Sequence, residues 1–74
     1  MAEHELNAEG LNCPLPILKA KKMLKGIPAG DILKIRSTDP GSVADFAAFC
    51  THTGNELISS SSEGDIYLFE IKRS

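Results

Sequence analysis

The chain of 74 residues is short of several residue types, and each shortage excludes a class of protein. Its two cysteines are too few for a disulfide-stapled scaffold, so we expect reduced thiols and a cytoplasmic location. No run of about 18 apolar residues is present, and no membrane-spanning helix is therefore expected. The acidic first five residues lack the basic and apolar regions of a signal peptide.

Aromatic residues and net positive charge are also scarce. Aromatic side chains make up 5% of the sequence, and the formal net charge is −2. Nucleic-acid-binding domains usually combine a basic surface with aromatic residues that stack on bases, so no direct nucleic-acid partner is expected. The length predicts a single domain, residues 1–74, with one small core.

The order of the apolar patterns predicts a small α+β fold. Apolar residues recur at strand spacing in four segments and at helical spacing in two, with turn residues between them. The predicted strands are residues 4–8, 31–37, 56–62 and 66–72, and the predicted helices are residues 14–25 and 40–52. This βαβαββ order favours a two-layer sandwich, in which a four-stranded mixed sheet carries both helices on one face.

Each predicted helix has one apolar face. Apolar residues recur at helical spacing from the first helix into the turn after it, at Ile17, Ala20, Leu24 and Ile27, and in the second helix at Val43, Phe46, Ala47 and Cys50. The register of Cys50 with its apolar neighbours predicts a buried, structural cysteine. The alternative is that Cys50 is a resolving thiol for Cys13.

Cys13 stands directly before Pro14, at the predicted start of the first helix. Proline is favoured at the first helical position, and Pro16 falls within the same turn, where it does no harm. This placement puts the Cys13 thiol next to the unpaired N–H groups and the positive end of the helix dipole, which favour an anion. We therefore expect the Cys13 pKa to lie below that of a free thiol, which makes Cys13 a candidate nucleophile.

The chemistry of such a thiol is open from spacing alone. Cys13 could accept sulfane sulfur as a persulfide, act as a redox or metal thiol, or be a buried and inert side chain. Metal binding is the weakest of these interpretations, because no cysteine and histidine pair has a ligand spacing. No metal and no cofactor is predicted.

Four of the eight basic residues lie close together after Cys13. They are Lys19, Lys21, Lys22 and Lys25. They are either a docking surface for an acidic partner protein or the solvated side of an amphipathic helix. An RNA-binding interpretation is weaker, because aromatic residues are few.

Asp39 and the two histidines are the remaining polar residues of interest. Asp39 precedes Pro40, so it is predicted to cap the second helix, and it could contact a partner if both helix starts lie at the same edge of the sheet. His4 and His52 are isolated in the sequence, and we predict that both are surface residues without a catalytic role.

The run Leu11-x-Cys13-Pro14-x-Pro16, followed by a basic amphipathic helix, resembles the TusA/SirA-like sulfur-carrier family. The resemblance extends over nearly the whole chain. It implies the two-layer sandwich and a sulfurtransferase role in which Cys13 carries a persulfide, without a cofactor. The implied partners are a donor, either a cysteine desulfurase or a rhodanese-like protein, and an acceptor protein thiol. The implied pathways include tRNA thiolation, sulfur oxidation and related sulfur or selenium metabolism.

Two positions depart from the pattern of the family's tRNA-thiolation members. Leu15 stands between the prolines where those members usually have an acidic residue, and Lys21 stands where an arginine is frequent. Both positions face the expected partner, so the sequence leaves the donor and the acceptor open. The alternative function is a regulatory or RNA-associated binding module in which the lysines matter and Cys13 does not.

Overall fold

A computed structural model describes residues 2–74 and confirms the predicted order of elements. The strands are β1 (Glu3–Ala8), β2 (Ile32–Ser37), β3 (Glu56–Glu63) and β4 (Ile66–Lys72), and the helices are α1 (Leu15–Lys25) and α2 (Ser42–Thr53). Within these residues, neither helix is long and apolar enough to cross a membrane.

The four strands form one mixed sheet in the order β1-β2-β4-β3. Strands β1 and β2 are parallel and are joined through α1, whereas β4 is antiparallel to both of its neighbours. Helix α1 packs over β1 and β2, helix α2 packs over β3 and β4, and the two helices touch each other. The predicted sandwich with both helices on one face is therefore confirmed.

The core lies between the central strands and the helices. Alternate residues of β2 and β4 point towards the helices, and Leu33, Ile35, Phe69 and Ile71 are almost completely buried. The Phe46 ring of α2 packs on Phe69, with 4.8 Å between the ring centroids. The buried alternate residues of the strands thus pack against one face of each helix.

The predicted apolar face of α1 is confirmed, but the helix begins one residue later than expected. Ala20, Leu24 and Ile27 are buried, and Ile17 is half-buried. Pro14 is the N-cap residue rather than the first helical residue, and Pro16 lies buried in the first turn.

The predicted face of α2 is wrong at two of its four positions. Val43 is 43% exposed and Ala47 is also exposed, whereas Phe46 and Cys50 are buried as predicted. The helix begins at Ser42 rather than Pro40, and Ser42 itself faces the core. The cause is a polar contact that periodicity does not show, because hydrophobic patterns count a serine as an outward residue.

That contact joins the hydroxyls of Ser37 and Ser42, whose Oγ atoms are 2.7 Å apart. Both side chains are almost completely inaccessible to solvent. The pair connects the end of β2 to the first turn of α2 and thereby sets which face of α2 turns inward.

His4 is not isolated, contrary to the sequence-based prediction. Its Nε2 lies 2.9 Å from Asp31 Oδ2, and the Ala2 N–H donates to Asp31 Oδ1 at 3.2 Å. Hydrogen bonding to His4, followed by the bond from Ala2, lowers the pKa of the Asp31 carboxyl. These contacts tie the start of β1 to the turn that precedes β2.

Both ends of the described chain are joined to the start of β2. The Ile32 N–H donates to the Ala2 carbonyl at 3.0 Å. On the other side, the Arg73 N–H donates to the Asp31 carbonyl and the Gly30 N–H to the Arg73 carbonyl, both at 2.9 Å. Residues 2 and 73 therefore lie on either side of β2, at the end where that strand begins.

Candidate functional site

Cys13 lies in the loop between β1 and α1, at the edge of the sheet where the parallel strands β1 and β2 end. Its thiol is free and its side chain is exposed. Two hydrogen bonds tie the loop to the segment that follows β2: Gly10 N–H donates to Thr38 Oγ1 at 2.9 Å, and Cys13 N–H donates to Asp39 Oδ2 at 2.8 Å. The backbone beneath the thiol is therefore held in place.

Asp39 has a different structural role from the one predicted. The residue at the N-cap of α2 is Gly41, and no side chain caps that helix. Asp39 Oδ1 instead accepts a hydrogen bond from the Gly41 N–H at 3.1 Å, within the turn before α2, while Oδ2 holds the Cys13 backbone. The condition stated from the sequence is met, because both helix starts lie at the same edge of the sheet.

Asp45 is the site residue that sequence reasoning missed. It lies in the first turn of α2, and its carboxylate, the Asp39 carboxylate and Cys13 Sγ all lie within 4.8 Å of one another. The sequence contained a signal for it: with both helix starts at one edge, an acidic residue in the first turn of α2 is close to Cys13. That signal was only readable once the register of α2 was known.

The pKa of the Cys13 thiol is raised, so the expectation of a lowered value is wrong. Hydrogen bonding to Asp45 is the largest cause, followed by slight desolvation and by the negative charges of Asp45 and Asp39. Each of these disfavours a neighbouring thiolate.

The start of α1 offers Cys13 few donors to offset those charges. Pro14 and Pro16 have no N–H, and the Leu15 N–H is already bonded to the Asn12 carbonyl at 2.8 Å. The Cys13 N–H is also occupied, because it donates to Asp39 Oδ2. The two prolines that mark the helix start in the sequence thus also remove the groups on which the helix-dipole argument depended.

The thiol opens into a groove between the two helices. The groove is lined by Cys13, Pro14, Ile17, Asp45, Ala48, Phe49 and His52. His52 is exposed, as predicted, but it belongs to this groove. Phe49 also lines a second cavity, further along the helices, that includes Lys21, Lys25 and Arg73. Phe49 thus borders both a groove with an acidic residue beside Cys13 and a cavity lined by basic residues.

The four lysines of α1 are exposed, but they do not form a single surface. Lys21 and Lys25 line the distal cavity beside α2. Lys19 and Lys22 stand at helical spacing with Leu15 and Leu18, whose side chains are 45% and 53% exposed. We call these last four residues the outer face of α1.

Among residues 2–74, Cys13, Asp39 and Asp45 are the one group of three or more potential metal ligands within reach of each other. Structural zinc sites usually use four ligands, mostly cysteine and histidine. Since Asp39 is already bonded to two backbone N–H groups, the group is better explained by the hydrogen bonds of the loop than by an ion. The absence of a metal site remains a prediction.

The sandwich fold and the exposed thiol at its edge define a small thiol protein of the α+β class, and sequence comparisons place it more closely. Residues 4–73 match the family described as Sulfurtransferase TusA. The chain is 56% identical over 72 residues to a sulfur carrier protein TusA of Allochromatium vinosum, covering 97% of this chain and 95% of that relative. A putative sulfur carrier protein of Neisseria meningitidis is 40% identical, over 97% of each chain.

A putative sulfur carrier protein of Bacillus subtilis is 48% identical over 61 residues, which are 82% of this chain and 33% of that longer protein. The chain belongs to the TusA sulfurtransferase family. The resemblance stated from the residues around Cys13 is thereby confirmed at the level of the family.

Proposed function

We propose that this chain is a sulfur carrier, in which Cys13 accepts sulfane sulfur as a persulfide and passes it to the thiol of an acceptor protein. The observation that carries the proposal is the contrast between the two cysteines. Cys13 is exposed on a backbone fixed by Asp39, whereas Cys50 is 5% exposed and faces the core. The names of the relatives support the same function.

The transfer is a thiol–persulfide exchange. The Cys13 sulfur attacks the terminal sulfur of a donor persulfide, a new S–S bond forms on Cys13, and the donor leaves as a thiolate. The reverse roles apply when Cys13 gives its sulfur to an acceptor. One S–S bond replaces another at each step, so no external oxidant, reductant or cofactor is involved.

The donor in this proposal is a cysteine desulfurase or a rhodanese-like protein, and the acceptor is a second protein thiol in a cytoplasmic relay. The outer face of α1 supports a docking role. It exposes Leu15 and Leu18 within two turns of Cys13, and Lys19 and Lys22 rim these apolar side chains. An apolar centre with a charged rim is typical of transient protein interfaces.

The test is to incubate the protein with persulfide-loaded rhodanese and to measure intact mass. Wild type should gain the mass of one sulfur atom on the peptide that contains Cys13, and Cys13→Ser should gain none. Cys50→Ala is the matched control, because it removes the buried thiol and should load normally while losing about 1 kcal/mol of stability to the small cavity.

The two candidate functions make opposite predictions in this experiment. Loading that persists in Cys13→Ser would remove the assignment of the carrier thiol. A wild-type protein that takes up no sulfur from the donor would favour the alternative, a binding module that works through the lysines.

A further inference from the structure

We propose that Asp45 is a catalytic residue of the sulfur transfer: its carboxylate accepts the Cys13 thiol proton during attack and returns that proton to the departing thiolate. The inference rests on the proposed function of Cys13 and adds a residue to it.

The Asp45 carboxylate lies beside the Cys13 thiol. Asp45 is on α2 and Cys13 precedes α1, so the carboxylate approaches Sγ from across the groove, within 4.8 Å. The two groups are close enough for the hydrogen bond that raises the Cys13 pKa. Cys13 is exposed and Asp45 is half-buried beside it, so a donor sulfur can reach the thiol.

Asp45, unlike Asp39, has carboxylate oxygens that no backbone group of the described residues occupies. Asp39 is equally near but is occupied, since its two oxygens accept hydrogen bonds from the backbone N–H groups of Cys13 and Gly41. Within residues 2–74, no backbone N–H donates to the Asp45 carboxylate, and its hydrogen-bond partner is the Cys13 thiol itself. Of the two acids, Asp45 is therefore the one placed to accept the thiol proton.

The surroundings of Cys13 favour the protonated thiol, so its reaction benefits from a base. The titratable groups facing Cys13 are Asp39 and Asp45, together with His52, which lines the same groove. The two carboxylates raise the pKa of the thiol, and among residues 2–74 no lysine lines this part of the groove to stabilise a thiolate. A thiol held in this way has little thiolate at neutral pH, so a general base that removes its proton as the new bond forms would speed the reaction.

The step balances without a co-reactant. As Cys13 Sγ bonds to the terminal sulfur of the donor persulfide, its proton moves to an Asp45 oxygen. The S–S bond of the donor breaks, its inner sulfur leaves with the electron pair, and that thiolate takes the proton from Asp45. The carboxylate is regenerated, and one S–S bond has been exchanged for another.

The test compares wild type with Asp45→Asn in two reactions. Alkylation by iodoacetamide, which is uncharged and needs only the thiolate, should become several-fold faster at pH 7 in Asp45→Asn, because removing the carboxylate lowers the Cys13 pKa. Loading from glutathione persulfide should instead become slower, by about 100-fold, because the base is lost. The effects have opposite signs, which a purely structural role would not produce.

Two further measurements sharpen the result. The loading deficit of Asp45→Asn should shrink as the pH rises through the Cys13 pKa, since a thiolate needs no base. Asp45→Glu should recover part of the loading rate. The matched control is Asp65→Asn, which removes the same charge from the exposed turn between β3 and β4 and should change neither rate.

If both reactions accelerate in Asp45→Asn, the carboxylate only suppresses the thiolate and the proposal is wrong. Equal loading rates in wild type and variant would also overturn it. Failure of wild-type Cys13 to accept sulfur from glutathione persulfide or from rhodanese is a different outcome, because it would remove the proposed function itself.

Discussion

At the scale of single residues, neighbours across the sheet edge determine the properties of Cys13 more than its own helix does. The sequence places the thiol at a helix start, where the dipole favours an anion. In the fold, Asp45 and Asp39 stand beside it and raise its pKa instead. The local prediction considered one helix, whereas the electrostatics come from the segment that follows β2 and from α2.

Asp31 gives a second residue-scale prediction, on the pH dependence of stability. Its carboxyl pKa is lowered from 3.8 by hydrogen bonds from His4 and Ala2, so folding favours the charged form. The stabilisation is therefore complete above about pH 3.8 and is lost as the pH falls through the lowered value of the folded state.

Urea denaturation of Asp31→Asn should test this directly. At pH 7 the variant should unfold at lower urea than wild type, because the amide has one acceptor oxygen where the carboxylate uses two, one for the Ala2 N–H and one for His4. Near pH 2 the urea midpoints of the two proteins should converge, since the wild-type carboxyl is then protonated and uncharged, like the amide. A difference that stays constant over this range would show that packing, not charge, makes Asp31 important.

At the scale of elements, the pair formed by Ser37 and Ser42 fixes the junction between β2 and α2. Each buried hydroxyl satisfies the other at 2.7 Å, and Ser37 Oγ also accepts the Asp39 N–H at 3.2 Å. A buried hydroxyl left without a partner costs about 1–3 kcal/mol. We therefore expect Ser37→Ala and Ser42→Ala each to destabilise the protein by that order.

The double variant distinguishes pairing from packing. Since each single variant already removes the bond between the two hydroxyls, the double variant should cost clearly less than the sum of the two single changes. Thermal or urea unfolding of the four proteins gives this coupling. Strict additivity would indicate that the two hydroxyls stabilise the junction independently.

The bounds of the strands and helices show which parts of the fold can be predicted from local sequence patterns. The strands of the structure lie within a residue or so of the predicted ones, because alternation and turn residues are local signals. The observed start of α2, Ser42, lies two residues after the predicted start, because it depends on the contact between Ser42 and Ser37 across the junction. Val43 and Ala47 were misplaced for that reason, and Asp45 was missed for the same one.

At the scale of the whole molecule, charge is segregated although the net charge is only −2. Asp39 and Asp45 surround the thiol, whereas the lysines lie along α1 in two directions. The sequence predicts a cluster of four lysines but not its division, because adjacent positions on a helix point to different neighbours.

This division leads to a prediction for partner association. Reversing Lys19 and Lys22 to glutamate should slow association with an acidic sulfur donor or acceptor by about tenfold at low salt, and should weaken the salt dependence of the rate. The matched control is the same reversal at Lys21 and Lys25, which lie beside the distal cavity and should have the smaller effect. Stopped-flow binding at two salt concentrations measures both.

If reversing Lys21 and Lys25 slows association as much as reversing Lys19 and Lys22 does, the outer face of α1 is not the docking surface. In that case the distal cavity that Lys21, Lys25 and Arg73 line would be the contact surface for the partner. Unchanged rates for both pairs would return all four lysines to a solvated helix face.

The attachment of Ala2 and Arg73 to the start of β2 has a practical consequence. Both residues flank one end of that strand, and Cys13 lies beyond its other end, about 20 Å away over six residues. A label or surface attachment placed at either residue therefore lies at the opposite end of the sheet from the thiol. Because Ala2 and Arg73 are only about two strand spacings apart, one rigid tether can hold both positions while Cys13 stays accessible.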